Sequence, residues 1–351
     1  MLKFYHVADI HLDSQFSSLP EQKAQIRCEE HFNALSNLIF SAIEENIDYI
    51  FIPGDIFDVP DPAFKTVEFV KALFAKFKGK IIISPGNHDF YYFDSPYAGK
   101  WSDNVFIFKT TDISSFDFDD LTVYGFASDN FFSNDTPLEN FVNNSASPTV
   151  MVAHGNISSS ESNYISISES QIESSNLTYL ALGHSHTNKI SKLGETTYAY
   201  TGVLEPRGFD EQGQKGYIYG EIDNSYVKVV FRPVSKRIYN VSEIEVTDKT
   251  LTEIIDLISQ IKADILRVVL TGETDNDNLE DILNQNFLNE FFHFTLRNET
   301  KKTIKPWARL NEDSLVGLFL QDLHEKYQKT DLEEQKKQIL KAVRFGLDAM
   351  Q

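Results

Sequence analysis

Five short strand-like runs in this chain stop abruptly at residues of the types that can ligate metal ions. Residues 2–8 run into Asp9-Ile10-His11, residues 47–52 into Pro53-Gly54-Asp55 with Asp58 three places on, and residues 80–83 into Ser84-Pro85-Gly86-Asn87-His88-Asp89. Residues 149–153 reach His154-Gly155, and residues 177–182 reach Gly183-His184-Ser185-His186. A short β-branched, apolar run bounded by Gly or Pro reads as a buried strand. In an open α/β sheet, ligands bind beyond the carboxyl ends of such strands. A single Asn-His-Asp after a strand is more often just a turn. The recurrence is the constraint, because five of the nine histidines stand at these ends.

The remaining pattern places these runs in a fold. Apolar residues at helical spacing (Leu35, Leu38, Ile39, Ala42, Ile43) predict a helix within 24–46, and a second amphipathic stretch covers 64–77. The order β-α-β-α-β implies parallel neighbours and an α/β core. Residues 101–147 are less regular, with a strand over 121–126. A Ser- and Glu-rich excursion covers 158–175, with room for a short helix. Alternation over 198–201, 216–222 and 226–234 predicts an antiparallel meander. After a break near 235–241 come a helix (251–262), a strand (265–271), a helix (278–286) and a strand (291–298), then a charged helical tail over 315–350. The expected organisation is a catalytic domain at 1–235, a small α+β capping domain at 240–305 and a helical tail at 306–351.

The residue types define the chemistry. Imidazole, carboxylate and amide oxygen suit Mn²⁺, Fe²⁺ or Zn²⁺, and no thiolate stands near them. The donors exceed what one ion needs. Two ions about 3.5–4 Å apart can clamp phosphoryl oxygens and activate a water. Asp55, central in chain order, is the expected bridge. At a strand end His184 and His186 can each face a different ion, as can Asp9 and His11. His88 follows an Asn ligand, so it is expected to face the substrate and serve the leaving oxygen, with Asp89 orienting its ring.

In combination, DxH (Asp9, His11), GDxxD (Gly54, Asp55, Asp58), GNHD (Gly86 to Asp89), a lone His154 after a strand and GHxH (Gly183 to His186) resemble the five motifs of calcineurin-like metallophosphoesterases. The resemblance implies a four-layer α/β/β/α sandwich. It implies Asp9, His11, Asp55 and His186 on one ion, Asp55, Asn87, His154 and His184 on the other, and His88 as the catalytic histidine. The opening HVADIHLDS, the phrase GDIFD and the segment TGVLEPRGFDEQGQKG resemble the SbcD/YhaO branch of DNA-repair exonucleases. That branch implies Mn²⁺-dependent action on DNA ends, a dimer, and an SMC-like ATPase partner docked through the C-terminal region. Some nuclease relatives carry a second histidine where this chain has Asp58, so that position lends the DNA role no support.

Other features bound the reading. A net charge of −20 argues against a surface-wide field that attracts nucleic acid. The densest basic stretch, Arg297, Lys301, Lys302, Lys305 and Arg309, is either a DNA-backbone strip or a solvated face. Arg207 and Lys215 either touch phosphate or flank a solvated loop, and Asp58 either braces its loop or supports the metals. His6 reads as a core histidine, and His31, His293 and His324 as structural. The apolar residues of the tail pack on their own protein or dock a partner's coiled coil. The single Cys28 excludes an internal disulfide, and no apolar run reaches a membrane span, so a soluble cytoplasmic protein is expected. The leading expectation is a Mn²⁺-dependent DNA exonuclease or endonuclease. The rivals are a phosphodiesterase or phosphatase for nucleotides and other small esters, and a binding scaffold, which would have no use for so complete a donor set.

Overall fold

The computed structural model describes residues 1–350 except 140, 144, 146, 159–162, 225 and 304, and except the side chain at 348. The chain divides into two compact units.

The first unit comprises residues 1–241 with 262–266 and 291–293. Its first sheet has six strands in the order β14 (Tyr226–Pro233), β13 (Gly216–Asp223), β1 (Leu2–His6), β2 (Tyr49–Ile52), β3 (Lys80–Ile83), β4 (Val105–Ile107). β1 to β4 are mutually parallel, as the β-α-β-α-β order predicts, while β13 and β14 are antiparallel. The second sheet has the order β11 (Lys189–Leu193), β12 (Thr196–Tyr200), β10 (Tyr179–Gly183), β7 (Thr149–His154), β6 (Thr122–Gly125), β5 (Ser114–Asp117). Its four central strands are parallel and both edges antiparallel. β8 (Asn156–Ile157) and β9 (Ser166–Ile167) form a small parallel ribbon.

Side chains alternate across a strand, and that alternation builds the layers. Phe4, Phe51 and Ile82 point inward and meet Val150, Val152, Tyr179 and Ala181 of the other sheet. Their neighbours Tyr5, Ile50, Ile52, Ile81 and Ile83 point outward under α1 (Glu21–Glu44) and α2 (Phe64–Phe74), whose buried stripes are Leu35, Leu38, Ile39, Ala42 and Val67, Val70, Phe74. On the far side Met151, Ala153, Leu180 and Leu182 lie under Ile172 of α3 (Glu169–Ser175) and under Leu138 and Ile165. The expected α/β/β/α sandwich is therefore present. Its fourth layer is thin, because α3, started by a Ser168/Gln171 capping box and ended at left-handed Asn176, is its only helix among the described residues.

The predicted meander is corrected. β11 and β12 form a hairpin of the second sheet and β13 and β14 one of the first, with residues 201–215 crossing between them. Alternation marks a strand but not the sheet it joins. The main segment of the first unit ends at residue 241, within the break expected near 235–241, although β15 (Tyr239–Glu245) runs across it.

The second unit comprises residues 242–261, 267–290 and 294–351. It holds most of a three-stranded sheet, order β15, β16 (Ile265–Thr271), β17 (His293–Asn298), with helices α4 (Leu251–Ser259) and α5 (Leu279–Phe287). The tail is two helices, α6 (Leu315–Lys329) and α7 (Glu333–Ala349), which bury Val316, Leu320, Val343 and Leu347 together. No described helix is long and apolar enough to cross a membrane.

Candidate metal centre

The strands of the first unit deliver their terminal residues to one place, and the loops that carry them are tied to one another. Beyond β1 and β2 the two chains stay side by side: Asp9 N–H donates to the Gly54 carbonyl (3.2 Å) and His11 N–H to the Asp55 carbonyl (2.9 Å). His184 N–H donates to the Asp9 carboxylate (3.0 Å), and His88 N–H to Asp55 Oδ1 (2.9 Å). Asp9, His11, Asp55 and His184 all sit at positive φ (50°, 50°, 55° and 98°). Non-glycine residues there cost about 1–3 kcal/mol each and persist only where the surroundings hold them. These are the residues the strand-end pattern singled out.

Two donor sets share one carboxylate. Asp9, His11 and His186 each offer a ligand atom within 4.8 Å of the others. On the other side Asn87 Oδ1 lies 2.8 Å from His154 Nε2 and 3.2 Å from His184 Nδ1. Asp55 Oδ2 is 3.6 Å from His11 Nε2 and 3.5 Å from His154 Nε2, the position of a bridge. The residues fit cations on two counts. His11 is fully buried and neither ring nitrogen has a hydrogen-bond partner; its Nδ1 is 3.1 Å from Asp58 Oδ1 but out of line for one. A buried polar atom left so is costly. His154 Nδ1–H donates to the Pro53 carbonyl (2.9 Å), so its Nε2 lone pair faces another acceptor, Asn87 Oδ1. A cation turns both into partners.

The electrostatics agree. Burial pulls the His154 imidazole down to about 4 and His184 to about 3; burial, then Arg207, holds His11 well below the ordinary range. All three therefore keep free lone pairs at neutral pH. Burial and the neighbouring Asp55 push Asp9 well up, and burial pushes Asp55 up to about 6. Two buried carboxylates this close are unfavourable until a positive charge joins them.

One feature escaped the sequence reading. Glu211, buried in the loop between β12 and β13, accepts from His186 Nδ1 (2.9 Å). Burial alone would raise its carboxyl, but the His186 hydrogen bond and Arg207 outweigh it and bring it to about 2. A carboxylate on one imidazole nitrogen fixes the ring and turns the other toward a metal. Lys215 Nζ donates to the His186 carbonyl (3.1 Å). Arg207 donates to Glu211 Oε1 (2.8 Å) and Asp58 Oδ1 (2.9 Å), and its Nη2 is 3.4 Å from His186 Nδ1. The solvated-loop reading of this segment is thus corrected: Arg207 and Lys215 are engaged inside the centre.

Asp89 is corrected as well. It does not hold the His88 ring. Its fully buried carboxylate accepts backbone N–H groups of Gly86 (2.8 Å), Asp55 (3.1 Å), Ile56 (2.7 Å) and Phe57 (3.2 Å), and the Tyr97 hydroxyl. It locks the Asp55 loop. The ring of His88 is held by the Asp58 carbonyl at 3.0 Å from Nδ1 and stands edge-on to His11 (4.8 Å). Asp58 therefore braces His88 through its backbone and contacts His11 and Arg207 through its carboxylate. His6 is a satisfied core residue, bonded to the Tyr179 hydroxyl and the Leu182 carbonyl.

The basic stretch belongs to the second unit and is largely paired. Arg297 meets Glu299 (2.7 Å), Lys305 meets Asp275 (3.7 Å), Arg309 meets Glu312 (2.7 Å), and Lys302 meets Asp277. The Lys301 backbone pairs with Gly272 and its side chain is exposed.

Two facing sheets whose strand ends bring together donors for two cations have what a two-metal hydrolytic centre requires. Residues 2–188 match the calcineurin-like phosphoesterase family, more than half the chain, and the chain belongs to that family. It is 26% identical to the uncharacterised metallophosphoesterase YhaO of Bacillus subtilis (strain 168) over 365 aligned residues, covering 95% of this chain and 88% of that protein. It is 29% identical to the DNA double-strand break repair protein Mre11 of Saccharolobus solfataricus over 92 residues, 25% of this chain and 23% of that protein. Among solved structures it is similar to a dimetal phosphatase from Danio rerio, at 10% identity and a TM-score of 0.41, covering 66% of this chain and 98% of that one.

Proposed function

We propose that this phosphoesterase is a Mn²⁺-dependent DNA exonuclease or endonuclease acting in DNA repair. The observation that carries the phosphodiester chemistry is the shared Asp55 carboxylate between two donor sets, with His88 alongside. The DNA substrate rests on likeness, over 25% of this chain, to a protein named for DNA double-strand break repair. A dimer and an SMC-like ATPase docked on α6 and α7 belong to the same proposal.

Asp9, His11, Asp55 and His186 would hold one ion and Asp55, Asn87, His154 and His184 the other. When bound, the ions supply Lewis acidity and a water that is nucleophilic at neutral pH. The chain's own residues do the rest. His186 is kept in register by Glu211, and the Asp55 loop by Asp89. His88 donates Nδ1–H to the Asp58 carbonyl; in its imidazolium form it would pass the second proton, on Nε2, to the leaving ester oxygen and end as the neutral Nδ1–H ring. The asparagine amide adds an oxygen ligand without a third buried charge.

The second reading is a phosphodiesterase or phosphatase for nucleotides and other small esters. The −20 net charge and the pairing of Arg297, Lys302, Lys305 and Arg309 with carboxylates favour it. Incubation of end-labelled duplex and single-stranded DNA with Mn²⁺, beside bis-p-nitrophenyl phosphate and cyclic nucleotides, separates the two. The proposal expects DNA shortening that disappears in His88→Ala. Cleavage of the small diesters with intact DNA, even with the ATPase subunit added, would move the assignment to the second reading.

A further inference from the structure

Beside Asn87, His154 and His184 stands a group of aromatic rings that the hydrolytic chemistry does not use. The Tyr164 ring lies 4.6 Å from that of His184, and the Phe131 ring lies 5.1 Å from that of His88. Phe132 joins the two: its centroid is 4.8 Å from Phe131 and 5.7 Å from Tyr164, and 58% of the residue is exposed. Phe131 and Tyr164 line one small pocket together with Asn87, His154 and His184. The ring group thus runs without a gap from the donor atoms out to open surface.

A phenyl ring left in water is unfavourable, and three aromatic rings in mutual contact at the edge of a polar site form a patch, which a singly exposed side chain does not. We infer that Phe131, Phe132 and Tyr164 form a platform on which the nucleobase attached to the scissile phosphate stacks. The inference rests on the phosphodiesterase reading but not on the choice between DNA and small nucleotides. The donors recognise phosphate, which every phosphate ester carries. What distinguishes a nucleotide from a sugar phosphate is a flat aromatic group one sugar away, and exposed Phe and Tyr faces are the side chains that hold such groups. Every base has a π face, so the platform selects nucleotides while tolerating any sequence. Because His88 contacts Phe131 and His184 contacts Tyr164, a base on the platform also fixes the phosphate between them.

The test is equilibrium binding to the Mn²⁺-loaded protein by calorimetry, with deoxyadenosine monophosphate and deoxyribose 5-phosphate as the two probes. The nucleotide is expected to bind about 5- to 150-fold more tightly than the sugar phosphate. Phe132→Leu, which keeps an apolar side chain but removes the flat face, should bring that ratio toward one, and Phe132→Tyr should keep it. Phe132 is mostly exposed, so neither change threatens the fold. Equal binding of the two probes by the unmodified protein, or a ratio that survives in Phe132→Leu, overturns the platform. Hydrolysis of bis-p-nitrophenyl phosphate reports separately on the phosphodiesterase reading. Its absence with the nucleotide preference intact defeats that reading alone, and its presence with a ratio of one defeats the platform alone.

Discussion

Glu211 sets the strength of the centre without being a ligand. Its carboxylate holds His186 Nδ1 at 2.9 Å and is itself clamped by Arg207. Removing a carboxylate that orients a metal-binding imidazole typically weakens metal affinity about 10- to 100-fold, so Glu211→Ala should do so, read as the Mn²⁺ dissociation constant by calorimetry. An unchanged constant would show that His186 needs no such support. The donor residues that the structure brings together were legible because each follows a strand and is a donor type. Glu211 was not, since the segment from Gly208 to Gly216 is polar and glycine-rich and reads as a surface turn. Its burial comes from the crossing between two sheets, which local pattern does not carry. Asp89 was misassigned for a related reason. Its neighbour in sequence is His88, but a buried carboxylate goes where the most backbone N–H groups converge, and those belong to the Gly86 turn and the Asp55 loop.

At the scale of elements, the centre depends on how closely the turns after β2 and β3 approach. A Cβ on Gly86 would lie 2.1 Å from Asp55 Oδ1 and 2.7 Å from the Asp55 backbone N. Neither can yield, because Asp55 is held on both sides. Gly86→Ala should therefore remove metal binding while leaving the far-UV circular dichroism and the sheet intact; retained binding of two ions would show that the turn has slack. β1 to β3 with α1 and α2 were legible from their periodicity, because each buries one face or both. β4 has only three residues and β5 is a polar edge strand, Ser-Ser-Phe-Asp, so neither carries a pattern. The two helices of the tail read as one because residues 330–332 contain neither Gly nor Pro.

For the molecule as a whole, buried histidines and carboxylates make stability depend on pH. Burial holds His6, His31 and His184 at about 3 and His154 at about 4, with His11 lower than its ordinary value as well. In the unfolded chain they titrate near 6.5. Between those values the unfolded state binds protons that the folded state does not, so acidification favours unfolding. Asp9, Asp55 and Asp89 act in the opposite sense, because burial raises them and the folded state takes up their protons first. With Glu205, which burial also raises, four carboxylates oppose the five histidines, and Glu211, brought down to about 2, acts with the histidines. The metal-free protein should therefore lose stability as pH falls from about 6.5 to about 4, seen as a lower urea midpoint at about pH 5 than at neutrality; a higher midpoint would reverse the balance. The same proton uptake at Asp55 opposes metal binding below about 6. In a chain of net charge −20, bound cations would invert the field locally where phosphate esters gather, which makes the two-ion centre the central claim. It is tested most directly by calorimetric Mn²⁺ stoichiometry alongside bis-p-nitrophenyl phosphate turnover in the unmodified protein, Asp55→Ala and His88→Ala. The expected result is two ions and turnover in the first, loss of both in the second, and two ions without turnover in the third. Full turnover in either variant would contradict the account.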